Sequence, residues 1–161
     1  MTKTTDVDAT MTDLGDLDTG AASDAGTEIE LKHPTTKKAT GIFIGVVGKH
    51  SQIFRDIVRD RTNERIRREA ENAKRGKDSE PTTAEEVEAR AIELLTACTT
   101  HWRSETRNTK GEVIDNKPIV KFKGEELAFN AGNVAKIYTA MIWAREQVDG
   151  AIGDLELFIK A

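Results

Sequence analysis

The sequence predicts an α+β fold: an N-terminal β-hairpin packed on three to four helices, behind a disordered acidic leader. Three observations carry this. An apolar period of two appears in "TEIELKHP" and an unbroken apolar run in "GIFIGVVG", which is strand patterning. From Ser51 onward the apolar residues recur at helical spacing instead. The first 26 residues, "MTKTTDVDATMTDLGDLDTGAASDAG", offer almost nothing to bury and cannot offset their ordering entropy. The length of 161 residues suits one domain, residues 27–161, behind that leader. With 37% hydrophobic and 32% charged residues, a modest core under a large solvated surface is expected.

Taken in order, Ile29 and Leu31 alternate with Glu28, Glu30 and Lys32 as in a half-buried strand. "TTKKAT" forms a polar connection to the second strand, where Gly41, Gly45 and Gly48 weaken the pattern and mark a bulge. Ser51 is placed to cap a helix carrying Ile53, Phe54, Ile57 and Val58. Past Val58 only Ile66 continues the stripe, so "RDRTNERIRREAENAKRGK" is expected to project into solvent until "RGKDSEP" breaks it. "TTAEEVEARAIELLTACTTHW" then opens with a capping box, Thr82 with Glu85 or Thr83 with Glu86. Val87, Ala91, Leu94, Leu95, Cys98 and Trp102 fall on one face of that helix, and Val87, Leu94, Leu95 and Trp102 are the expected centre of the core.

"GEVI" and "IVKF" around "DNKP" read as a second small hairpin. Asn130 caps the next helix, with Phe129 and Val134 spaced as a hydrophobic staple and Val134, Ile137, Tyr138 and Met141 as its stripe. A change of phase near 141–143 predicts a kink or turn. Beyond it Trp143 leads a last amphipathic element whose apolar positions are Val148, Ile152, Leu155 and Ile159.

The residues that could carry chemistry are few. Cys98 and His101 have half of a zinc spacing, with no second cysteine in the chain. Three residues apart on a helix they do not form an oriented nucleophile–base pair, so Cys98 is expected in the core and His101 at the helix end. No G-x-G-x-x-G or Lys-Ser/Thr phosphate loop is present. The chain is therefore expected to bind rather than catalyse, with no metal and no cofactor. A lone cysteine suits a reducing compartment, and neither a signal peptide nor a membrane-spanning apolar run is visible.

Charge is unevenly spread: residues 1–30 hold eight acids and one lysine, residues 49–77 ten bases and five acids. Arg55, Arg59, Arg61, Arg65 and Arg68 form a candidate basic surface, with Arg67, Lys74, Arg75 and Lys77 alongside. The interleaved Asp56, Asp60, Glu64, Glu69 and Glu71 instead favour ion pairs along the helix, and no aromatic residue offers base stacking. Nucleic-acid binding through residues 55–77 is the weaker reading.

The order "LKHPTTKKATGIFIGVVGKHSQIFRDIVRDRTNERIRR", "AEEVEARAIELLTACTTHW", "FKGEELAFNAGNVAKIYTAMIWAREQVDGAIGD" resembles the tail assembly chaperones of long-tailed bacteriophages. The resemblance covers most of residues 29–159; the acidic leader is additional, and "RSETRNTKGEVIDNKPIVK" is longer than the family's connection. It implies a protein of the host cytoplasm that binds the tape measure protein and prevents its aggregation during tail assembly. It also implies absence from the mature virion. The tail tube protein and a second copy of the chain are further partners it allows. Trp143, Val148, Ile152, Leu155 and Ile159 are the expected partner-binding residues, with burial in the core as the competing fate of Trp143. A minor structural component of the virion is a further alternative.

Overall fold

The computed structural model describes residues 10–159. Strands β1 (Thr27–Lys32) and β2 (Ala39–Val46) form the expected antiparallel hairpin. A third strand, β3 (Thr99–Arg107), pairs with β2, and β4 (Val113–Lys117) completes a sheet of order β1-β2-β3-β4. Register explains its two faces. Ile29 lies opposite Ile44 and Ile44 opposite Trp102, an apolar row toward the core. The alternate rows set Glu28 against Gly45 and His101, and Glu30 against Phe43 and Arg103, facing water. The register shifts between Gly45 and Val46 opposite β3, the bulge that a strand glycine anticipates. A second, two-stranded sheet joins β5 (Ile119–Phe122) to β6 (Glu125–Ala128). Its turn residues, Lys123 (φ 49) and Gly124 (φ 84), both take the left-handed conformation of a two-residue hairpin turn.

Helix α1 (Thr19–Ala25) precedes the hairpin, and α2 (Gln52–Lys74) follows it, capped by the Ser51 hydroxyl accepting from the Phe54 N–H at 3.3 Å. Gly76 (φ 66) closes α2: its N–H reaches the Ala73 carbonyl while the Lys77 N–H reaches Asn72, a Schellman ending. Helix α3 (Ala84–Cys98) is capped by Thr83, whose hydroxyl accepts from the Glu86 N–H at 3.2 Å. Asn130 caps α4 (Ala131–Ala140) at 2.8 Å from the Asn133 N–H. At Met141 (φ −106, ψ 81) the chain breaks before α5 (Ile142–Gly153), as the phase change predicts.

Four expectations are corrected. Helix α3 stops at Cys98, so Trp102 reaches the core from β3; the β-branched pair Thr99–Thr100 starts that strand. Trp102 falls in helical phase with Leu95 and Cys98, so the periodicity hid the change. Val87 is 58% exposed and Leu94 only partly buried, whereas Leu95 and Trp102 are buried. "GEVI" and "IVKF" do not pair with each other: the first pairs back on β3 around Asn108–Gly111, where the Asn108 carboxamide accepts from Lys110 and Glu112, and the second pairs with β6.

The fourth correction is the leader. Residues 1–9 lie outside the described residues, but Asp18 caps α1 and Ser23 is fully buried. The Gly48 N–H donates to the Ser23 carbonyl at 3.1 Å, and Thr19 meets His50 at 2.7 Å. Asp24 accepts from the Gln52 N–H at 2.7 Å, a second cap on α2. Polar contacts hold this segment, so an apolar search passes over it.

The core lies between the inner face of the sheet and α4, α5 and the end of α3. Ile44, Val46, Cys98, Val134, Tyr138, Val148 and Ile152 are all at most 1% exposed. The Tyr138 hydroxyl is satisfied there by Thr99 at 2.6 Å, and Thr99 in turn donates to the Leu95 carbonyl.

Candidate functional site

The expected partner-binding stripe divides in two. Val148 and Ile152 are buried beneath the sheet and are not free for a partner. Trp143, Leu155 and Ile159 are partly buried, and Trp143 packs against the core. The polar residues of the same motif hold α5 in place. Gln147 accepts from the Lys32 N–H and donates to the Lys32 carbonyl, each at 2.9 Å, closing part of the exposed β1 edge. Arg145, 16% exposed, donates to Glu88 at 3.0 Å and to the Tyr138 carbonyl at 3.3 Å, joining three helices. "REQVD" is therefore a docking device for the helix that bears it. Sequence reading assigned these positions no role, because their partners lie on distant elements.

The basic helix is largely self-neutralised. Arg59 pairs with Asp56 and Asp60, Arg67 with Glu71, and Arg68 with Glu64. Arg61 leaves the expected basic surface altogether: it reaches across to α3, donating to the Arg90 carbonyl at 2.9 Å and to Glu93 at 3.4 Å. Arg55 turns back on Ser51 and Gln52. Arg65 makes no side-chain ion pair among the described residues. None of α2's 23 residues is buried, and Ile53, Val58 and Ile66 are 43–56% exposed along it.

Between α3 and α4 an open groove of about 730 Å³ runs along the surface. Ala89, Ile92, Ala97, Ala131 and Ala135 line it, and Glu85, Glu88 and Glu93 also contribute. No Lys or Arg lines it. Thr96 and Thr139 line it too; the Thr96 hydroxyl is buried and has no hydrogen-bond partner among the described residues. Other helical threonines bond back to the preceding turn, Thr62 to Val58 and Thr139 to Ala135. The groove was not singled out from the sequence: alanines on helix surfaces score as ordinary helix formers, and only the packing of α4 beside α3 turns them into a concavity.

The outer face of the sheet carries a charged cluster. Glu28 bonds Arg103 and, at 2.9 Å, His101; Arg103 also pairs with Glu105 and lies over the Phe43 ring at 4.0 Å. Hydrogen bonding to Arg103 holds the Glu28 and Glu105 carboxyls below their ordinary range, and the same bonds keep Arg103 protonated. His101 is thus a sheet-surface residue and not the helix cap expected; a Cβ at Gly45 would overlap its ring. Every member has a partner within the chain, which leaves the cluster a structural role. Burial pushes the Cys98 thiol up to about 11, far from the range of a reactive thiolate. Among the described residues no group of three His, Cys, Asp or Glu is placed to hold a metal ion, and no helix is long and apolar enough to cross a membrane.

No protein-family model, curated protein or solved structure matches the chain.

Proposed function

We propose that the protein is a tail assembly chaperone of a long-tailed bacteriophage, binding the tape measure protein in the host cytoplasm and keeping it from aggregating. On this reading it leaves before the virion is complete and has no catalytic step. The observation that carries the reading beyond sequence resemblance is the unequal packing of the chain. The α2–α3 arm displays Ile53, Val58, Ile66 and Val87, and an apolar groove lies beside it. A chaperone for long apolar helices needs exposed apolar surface of this kind on a soluble, charged frame. The ion pairing of α2 weighs against a nucleic-acid-binding role.

Co-expression with the tape measure protein encoded in the same genome is the test. The expected result is a soluble complex, recovered by affinity purification, that tolerates a rise in salt from about 50 to 200 mM. A six- to ten-phosphate contact would weaken by about 10³–10⁵-fold over that range. A client that stays insoluble, together with salt-sensitive retention of DNA or RNA, would overturn the reading. So would recovery of the protein from purified virions.

A further inference from the structure

We propose that α2 is the moving arm of a hinged clamp, with α3 as the fixed arm and Arg61 as the latch that holds the two together. The proposal stands apart from the chaperone reading, since it concerns how the arm moves and not what meets it. The root of α2 is firmly set. Ser51 is fully buried, the Lys49 N–H donates to the Ile152 carbonyl at 3.0 Å, and Phe54 packs on the core. Helix α3 is set along most of its length. Leu95 and Cys98 are buried, Ile92 and Leu94 pack on the core, and Glu88 accepts from Arg145 at 3.0 Å. Beyond Ile57, by contrast, every residue of α2 except Arg61 and Asn72 is exposed.

One side chain spans the gap. Among the described residues, Arg61 makes the only side-chain hydrogen bonds between α2 and α3, to the Arg90 carbonyl at 2.9 Å and to Glu93 at 3.4 Å. Around and beyond it the helices are parted by a cleft of about 860 Å³ lined by Val58, Thr62, Arg65, Arg68 and Arg90 among others. Two helices packed ridge into groove leave no such space. The far end adds no restraint. The Gly76 and Lys77 N–H groups bond only within the end of α2, and residues 76–82 make no side-chain hydrogen bond or ion pair among the described residues. Fully extended, the eight residues from Gly76 to Thr83 reach about 26 Å, which is slack enough for the helix ends to separate. Helix α2 keeps its own shape meanwhile, through the Arg67–Glu71 and Arg68–Glu64 pairs along its surface. It therefore tilts as a rod about its root, as in hinge motion. The Glu93 end of the latch is 76% exposed, so closure rests on a contact that water and ions reach. Opening changes the spacing of Val58 and Ile66 from Val87, the exposed apolar residues of the two arms.

The test measures distances in the full chain by pulsed electron spin resonance, with nitroxide labels on Ala70→Cys and Ala91→Cys, both at exposed positions. Cys98 is fully buried and stays unlabelled in the folded protein. Ala70 lies 12 positions beyond Val58, about 18 Å along the helix, so a tilt of about 15° displaces it by about 5 Å. With Arg61 in place the distance distribution should be a single narrow peak. Arg61→Gln should broaden that peak or lengthen it by at least about 5 Å. A control distance, from Ala91→Cys to Lys121→Cys on β5, should not change. Glu93→Gln, which spares the bond to the Arg90 carbonyl, should give a smaller change of the same kind, and it decides the matter if Arg61→Gln does not fold. A distribution as narrow in the deciding variant as with the latch intact overturns the proposal. So does one already broad with Arg61 and Glu93 present. A control distance that broadens alongside also overturns it, because the whole body is then loose and α2 is no separate arm.

Discussion

The sheet-bound half of the molecule and the α2–α3 arm are built from the same chain on opposite terms. In the first, Trp102, Tyr138, Val148 and Ile152 are at most 2% exposed, and side-chain oxygens and amides close the remaining backbone. In the second, α2 runs 23 residues without burying one of them. It is sustained by its caps, by helix-forming residues, by ion pairs and by the Arg61 bridge to α3. The lesson is that stability and accessible apolar surface are allotted to different regions. Residues that fold the protein are hidden, and those free to meet a partner contribute little to folding.

The sharpest way to break that contrast is Trp102→Ala. Removing the largest fully buried side chain should cost about 3–5 kcal/mol in chemical denaturation. Ile152→Ala should follow at about 2–5 kcal/mol. This variant discriminates as well: if Ile152 instead served a partner, client binding would fall while the denaturation midpoint stayed put. Asp24→Ala, which removes a cap on α2 from outside the helix, should cost about 1 kcal/mol. An unchanged midpoint for that variant would return α1 to a dispensable leader.

A pH titration sharpens the comparison on the sheet face. The Glu28 carboxyl is held low by its bond to Arg103. Its contribution is therefore fully present above the ordinary carboxylate pKa of about 4.3 and is lost as the pH falls through the lower folded value. Melting temperature should fall more between about pH 7 and pH 3 in the wild type than in Glu28→Gln; parallel curves would remove Glu28 from the account. The smallest effect belongs to the arm. Val87→Ala, at a position 58% exposed, should stay within about 0.5 kcal/mol in denaturation. A loss of several kcal/mol there would mean that the arm packs against something in solution.

Whatever is local was legible in the sequence. The β1–β2 hairpin, the Ser51, Thr83 and Asn130 caps, the solvated course of α2 and the break at Met141 each follow from a few consecutive residues. A strand period, a side-chain oxygen three residues from an N–H or a run of interleaved charges acts over one or two turns, so neighbours suffice to specify it. The tertiary structure decided what depends on distant residues. Trp102 joins the core from a strand because β2 offers Ile44 as its cross-strand neighbour, although its spacing from Cys98 fits a helix equally well. Asp18 to Asp24 are ordered by groups at Gly48, His50 and Gln52 that the leader's own composition does not contain. Val148 and Ile152 went to the core, and four alanines of α3 and α4 became a groove, only once the helices were set beside one another. Apolar character is a property of the residue, but whether that surface meets its own chain or a partner is settled by the geometry of the elements around it.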